Sequence, residues 1–147
     1  LDQARQTQLV SWLCEDERRS YEALKIPADR QAYLAAHVLL RQSLSDHSNR
    51  AAPSWTFARL KSGRPILADE CTKQGLSFNI SHSRGLVACI VSRQTECGID
   101  VESLDPTGDA QDVAARFFTP AERDQLFRTV GIARDTLFKS LWTLKEA

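Results

Sequence analysis

The chain has 147 residues, with 19 basic side chains balancing 19 acidic ones and 42% apolar residues. That is the composition of a globular unit, one compact domain or two small lobes sharing a core, and it excludes both a disordered chain and a polybasic nucleic-acid binder. No apolar run approaches a membrane span, and the opening LDQARQTQLV lacks a signal peptide's charged-then-apolar layout, so the expectation is a cytoplasmic protein with no membrane partner.

In chain order, the first third reads helical. Leu9, Trp12 and Leu13 begin an apolar stripe, and EDERRSYEAL continues as a helix or helical turn. After Ile26-Pro27, the stretch ADRQAYLAAHVLLRQSL puts Tyr33, Leu34, Val38, Leu40 and Leu44 at helical spacing, with Asp29 near its start. His37 lies in this helix and reads as a neutral, partly buried histidine, because no second donor is near it in sequence. SDHSNRAAPS is a loop, WTFARL alternates as a strand closed by the turn KSGRP, and PILADECTKQG reads as irregular.

Leu76 to Ile80 begin the next strand, Gly85 helps the chain turn, and LVACIVS reads as a strand buried on both faces. CGIDVE then completes a three-stranded antiparallel meander. SLDPTGDA is a loop and DVAARFF a short helix. FFTPAERDQL carries a helix-start signal, with Thr119 as N-cap, Pro120 in the first turn and Glu122 at the capping-box position. A last helix is expected from about Asp135, with Leu137, Phe138, Leu141 and Trp142 on one face. The four cysteines, Cys14, Cys71, Cys89 and Cys97, form no CxxC pair and read as reduced thiols without a structural zinc site.

Several short patterns bear chemistry. Asp100 and Glu102 are two apart on extended chain, which puts both carboxylates on one face, where a hard cation such as Mg²⁺ would relieve their repulsion. The turn around Ser81-His82-Ser83 offers an imidazole, hydroxyls and backbone N–H groups to an anion close to Arg84. Ser81 and His82, being adjacent, point to opposite sides, which disfavours a serine nucleophile with a histidine base. Arg64 sits in a Gly-Arg-Pro turn able to aim a guanidinium at phosphate, and WTLKEA places Lys145 and Glu146 just after an apolar tryptophan face. Taken singly, each pattern also describes a solvated surface.

Taken together, GRPIL, FNISHS, GIDVE, RFFTPAE and WTLKEA occur in one order, and the chain from about residue 10 to 147 resembles the Sfp-type 4′-phosphopantetheinyl transferases. The upstream segment DRQAYLAAHVLLRQSL is similar to that family's N-terminal half. The resemblance implies an α/β (α+β) fold of two pseudo-symmetric lobes, each a small antiparallel sheet packed on a long helix. The division would fall at 1–94 and 95–147, with the second lobe incomplete. It implies an enzyme that moves the phosphopantetheine arm of coenzyme A onto a serine of an apo acyl or peptidyl carrier protein and releases adenosine 3′,5′-bisphosphate.

By motif match, Asp100, Glu102 and Glu146 would hold Mg²⁺, with Asp100 and Glu146 as the catalytic residues and Glu146 the candidate base or base-positioner. His82 and Ser81 would meet coenzyme A phosphate, Arg64 would lie along its nucleotide, and Arg18, Arg19 and Arg30 fall where the 3′-phosphate is bound. Capping is a sufficient role for Glu122, although it could lie near the site. Arg116, Arg123 and Arg128 are either docking contacts for an acidic carrier or, on the preferred reading, solvated helix faces. A monomer is expected. The family continues the last helix with a further lysine and then adds strands, whereas this chain stops at Ala147. The expectation is therefore a portion of a longer enzyme, weakly active or inactive alone, with Glu146 on a fraying helix end. The rival readings are a non-catalytic remnant that binds coenzyme A or a carrier protein and, further off, an unrelated α/β domain or metal-dependent phosphohydrolase.

Overall fold

A computed structural model describes residues 2–61, 63–68, 75–83, 85–103 and 110–147. Three helices open the chain: α1 (Gln3–Val10), α2 (Glu15–Ala23) and α3 (Pro27–Asp46). Each start has a local cause. The Asp2 carboxylate accepts the Arg5 backbone N–H at 2.7 Å, Glu17 reaches back to the Cys14 N–H at 2.8 Å, and Pro27 opens α3 where its missing N–H costs nothing. Leu13 and Trp12 carry the apolar stripe beyond the end of α1.

The 20-residue α3 organises two apolar clusters along its length. Leu34, in its first half, packs with Leu9 of α1, Leu13 of the α1–α2 connection and Tyr21 of α2. Leu40 and Leu44, fully buried in its second half, pack with Trp55, Leu67, Leu76 and Phe78. Burial of such side chains contributes roughly 1.5–3 kcal/mol each. Trp55 is also fixed at its polar end, since its indole N–H donates to Ser45 Oγ at 3.0 Å.

Two antiparallel pairs supply the β structure. Strand β1 (Phe57–Arg59) pairs with β2 (Pro65–Leu67), so part of the stretch expected to be irregular is a strand. Strand β3 (Leu76–Ser83) pairs with β4 (Leu86–Arg93) in a hairpin that Gly85, at φ +72°, turns. β4 is half-buried along its interior rather than buried on both faces. It is one of only two strands in its sheet among the described residues, and α3 packs against it.

The expected third strand is absent. Residues 96–103 have no strand assignment, and the β3–β4 sheet has two strands among the described residues. The physical reason is visible at Val101: its N–H donates to the Ser81 side-chain oxygen at 3.1 Å, so a hydroxyl stands where a backbone ladder would supply a carbonyl.

The remaining helices are α4 (Ala110–Phe117), α5 (Pro120–Arg128) and α6 (Gly131–Glu146). They gather Ala114, Phe118, Leu126 and Phe138 into a third cluster, with Leu137, Leu141 and Trp142 partly buried against it. The Thr119 capping box forms as expected. The last helix begins at Gly131, earlier than the pattern indicated. The protein is thus mixed α+β; of the predicted loop SLDPTGDA (103–110), residues 104–109 lie outside the described residues, as do Cys71 and Arg84. Among the described residues no helix is long and apolar enough to cross a membrane.

Candidate active site

The segment 96–103 lies between the β3–β4 hairpin and the end of α6, and named contacts hold it from both sides. Arg64 of the Gly-Arg-Pro turn donates to the Cys97 carbonyl at 3.1 Å. Ser81, on β3, donates its hydroxyl to Asp100 Oδ1 at 2.8 Å while accepting the Val101 N–H. On the α6 side, Gly98 meets the carbonyl of Ala147 so closely that a Cβ on it would sit 1.8 Å from that oxygen. Only glycine fits there without backbone movement.

Asp100 is consequently pinned through one oxygen, and the other, Oδ2, is buried with no hydrogen-bond partner. An unpaired buried carboxylate oxygen is costly unless something cationic or protic meets it. Glu102, two residues on, turns to α6 instead. Its Oε1 accepts the Trp142 indole N–H at 3.2 Å, and its Oε2 lies 3.8 Å from Lys139 Nζ. The two acids therefore have different protein partners, one on β3 and one on α6.

Hard carboxylate oxygens of this kind suit Mg²⁺, and Asp100 Oδ2 and the loosely paired Glu102 Oε2 fit it in donor chemistry. Among the described residues no group of three or more His, Cys, Asp or Glu is arranged to hold a metal ion, so Glu146 is not brought together with Asp100 and Glu102 in this arrangement. Glu146 is exposed in the last turn of α6. Its neighbour Lys145 points away to Glu122, with Nζ 2.9 Å from Oε2, and lies over the Phe118 ring. Glu122 thus caps α5 and ties it to α6; hydrogen bonds from the Thr119 backbone and then from Lys145 hold its carboxyl below the usual range.

His82 is exposed on β3, opposite Val87, while Ser81 is turned to Asp100, as alternation along a strand requires. Arg19 is exposed on α2 and paired with Glu15 and Asp16 of the same helix. Arg30 donates to the Leu24 carbonyl at 2.5 Å and stacks on Tyr21, while its Nε is buried without a partner. Arg18, also exposed, reaches the Leu13 carbonyl at 3.5 Å. Arg116, Arg123 and Arg128 are exposed, and Arg128 pairs with Asp124 one turn back.

Two features escaped sequence reasoning. His37 does have a partner: its Nδ1 lies 2.8 Å from Glu17 Oε1, and Arg41, fully buried, donates to Glu17 Oε2 at 2.5 Å. The three are buried together between α2 and α3, and the Arg41 guanidinium lies over Phe57 of β1. Burial by itself pushes the Glu17 carboxyl up, but the hydrogen bonds from His37 and Arg41 outweigh it and bring it down to about 2. The other is Lys139, nearly buried beside Glu102. Its spacing of three from Trp142 puts both on one helix face, the available signal, but the acid they meet is far away in sequence.

The family described as 4′-phosphopantetheinyl transferase, N-terminal, matches residues 2–95, more than half of the chain, and the 4′-phosphopantetheinyl transferase superfamily matches residues 96–147. The chain belongs to this superfamily. Its relatives include the 4′-phosphopantetheinyl transferase HetI of Nostoc sp., 34% identical over 95% of this chain and 59% of the relative. The 4′-phosphopantetheinyl transferase Sfp of Bacillus subtilis is 26% identical, over 100% of this chain and 63% of the relative. AcpT of Escherichia coli is 29% identical, over 80% and 55%. The chain therefore spans about three fifths of the length of the curated relatives it matches. The superfamily match over residues 96–147 covers both the held segment 96–103, which contains GIDVE, and α6, which contains WTLKEA.

Proposed function

We propose that this protein, as part of a phosphopantetheinyl transferase, moves the 4′-phosphopantetheine arm of coenzyme A onto a serine hydroxyl of an apo acyl or peptidyl carrier protein. The reaction forms a bond from the serine oxygen to the β-phosphorus of coenzyme A and breaks the pyrophosphate bond, releasing adenosine 3′,5′-bisphosphate. The observation that carries this reading is Asp100: a carboxylate pinned by Ser81 with its second oxygen buried and unpartnered, within the residues the superfamily matches.

Asp100 and Glu102 would hold Mg²⁺, with Glu146 of the terminal motif as the third acid. The ion, when bound, neutralises the pyrophosphate and stabilises the charge that develops on the leaving group. Arg64, which braces the acidic segment through the Cys97 carbonyl, would lie along the nucleotide. His82, exposed on the same strand as Ser81, offers its imidazole to phosphate. Ser81 acts through Asp100, fixing which oxygen faces inward. Arg19 and Arg30 are proposed for the 3′-phosphate; Arg30 supports this best, since its buried Nε lacks a partner. Glu146 is the base, or the group that positions the base, for the serine proton, a role that competes with its place as the third acid. We place the lobe boundary at 94/95, and the cytoplasm and a monomeric state complete the reading.

The test is to incubate the chain, extended to the relatives' full length, with coenzyme A, MgCl₂ and an apo carrier protein and weigh the carrier. A mass gain of one phosphopantetheine arm, abolished by EDTA and reduced about 100-fold or more by Asp100→Ala, is the expected result. Coenzyme A binding without transfer, in a chain extended to the relatives' full length, would overturn the enzymatic reading in favour of a binding remnant.

A further inference from the structure

The unassigned feature nearest the acids is the pair Lys139 and Trp142 on α6. Lys139 is an uncommon kind of lysine: its side chain is 12% exposed, and its ammonium lies 3.8 Å from Glu102 Oε2. Lysine is seldom buried without a partner, because a desolvated ammonium needs a counter-charge. Trp142, one turn on, donates its indole N–H to the other oxygen of the same carboxylate at 3.2 Å. The Trp142 ring is itself braced edge-on by Phe117, centroids 5.5 Å apart, so the donor is held from behind.

The acids need such a device. Asp100 and Glu102 are two half-buried carboxylates on one short segment, and Asp100 Oδ2 has no partner. Without a nearby cation the segment would carry two negative charges in a partly desolvated setting, which disfavours the folded arrangement. Among the described residues, Lys139 is the ion-pair partner of Glu102. At 3.8 Å the pair is loose rather than a short charge-assisted hydrogen bond, so the carboxylate oxygen can be given up to another cation.

We propose that Lys139 is a tethered stand-in cation: it neutralises Glu102 until a divalent ion arrives and then yields Oε2 to that ion, while Trp142 holds Oε1 and keeps the carboxylate oriented throughout. Lys139 and Trp142 are positioning residues that act through Glu102. The inference rests on the proposed metal role of Asp100 and Glu102 and adds how the site stays folded before loading and why loading is an exchange of cations rather than a simple capture. It carries a signature with opposite signs. Removing the Lys139 charge destabilises the metal-free protein and tightens metal binding, whereas a merely structural lysine would change stability equally with and without metal.

The experiment compares wild type, Lys139→Met and Lys139→Arg by thermal unfolding in EDTA and in MnCl₂, with Mn²⁺ affinity measured by electron paramagnetic resonance. Lys139→Met should melt below wild type in EDTA. It should bind Mn²⁺ about tenfold more tightly, and its Mn²⁺-induced rise in melting temperature should exceed that of wild type by about 4 °C. Lys139→Arg, which keeps the charge, should resemble wild type. Equal Mn²⁺ affinity in wild type and Lys139→Met would overturn the exchange.

A wild-type measurement guards against a variant that fails to fold. In ¹H–¹⁵N spectra, Mg²⁺ should shift both the Asp100 amide and the Trp142 indole N–H. A moving Asp100 with a static Trp142 overturns the clamp and leaves the metal site standing. If neither responds, the metal reading fails and this proposal with it.

Discussion

Glu17 offers the sharpest quantitative test of what holds the first half of the protein together. Its side chain is 4% exposed and meets His37 at 2.8 Å, Arg41 at 2.5 Å and the Cys14 N–H at 2.8 Å. Its carboxyl falls from an ordinary 4.5 to about 2. A tenfold change in acid strength corresponds to about 1.4 kcal/mol, so ionised Glu17 is favoured in the folded protein by about 3 kcal/mol. Because the folded value is depressed, that contribution is fully present above pH 4.5 and is lost as pH falls through about 2.

Glu17→Gln keeps the shape and removes the charge, leaving the Arg41 guanidinium buried without its counter-ion. The expected loss is about 3 kcal/mol at pH 7, a large share of the roughly 5–15 kcal/mol that stabilises a typical domain. Urea unfolding should show it as a fall in midpoint of about 1.5 M, taking a slope of about 2 kcal/mol per M. In a pH series from about 5 down to about 2, wild type should lose stability more steeply than the variant, and the two curves should converge. A midpoint within about 0.3 M of wild type at pH 7, or parallel pH curves, would refute the reasoning.

Two further outcomes follow from the site. Gly98→Ala should force the segment 96–103 away from the end of α6, because the added Cβ would lie 1.8 Å from the Ala147 carbonyl; a loss of about 1–3 kcal/mol in urea unfolding is expected, with broadened Asp100 and Glu102 resonances, and wild-type stability would contradict the close approach. His82→Ala, at an exposed strand position, should leave the melting temperature within about 2 °C of wild type and weaken coenzyme A binding about tenfold by calorimetry, and unchanged affinity in the folded variant would remove His82 from the phosphate site.

Local signals were legible where the cause is local. The Thr119–Pro120–Glu122 start of α5 was readable because a capping box is completed within four residues. The long α3 was readable from apolar spacing, and the β3–β4 hairpin from two apolar runs around Gly85. The CGIDVE segment is not a ladder strand for an equally physical reason: alternation announces extended chain but does not say whether its N–H groups meet a backbone ladder or, as at Val101, a serine hydroxyl. The partner of His37 was not legible because its acid lies 20 residues upstream on another helix.

By itself, the sequence determined the order of the motifs, the mixed α+β class and membership of the superfamily, since these depend on residue type and spacing along one chain. Only the tertiary structure decided that Ser81 pins Asp100, that Glu102 meets Lys139 and Trp142, and that Glu17, His37 and Arg41 share one buried cluster. The shortest of those links, Ser81 to Asp100, spans 19 positions and the longest, Glu102 to Trp142, spans 40, and which carboxylate oxygen is satisfied depends on how helix and hairpin close on each other. Charge compensation over that range is a property of the packed fold, and no periodicity in the chain announces it.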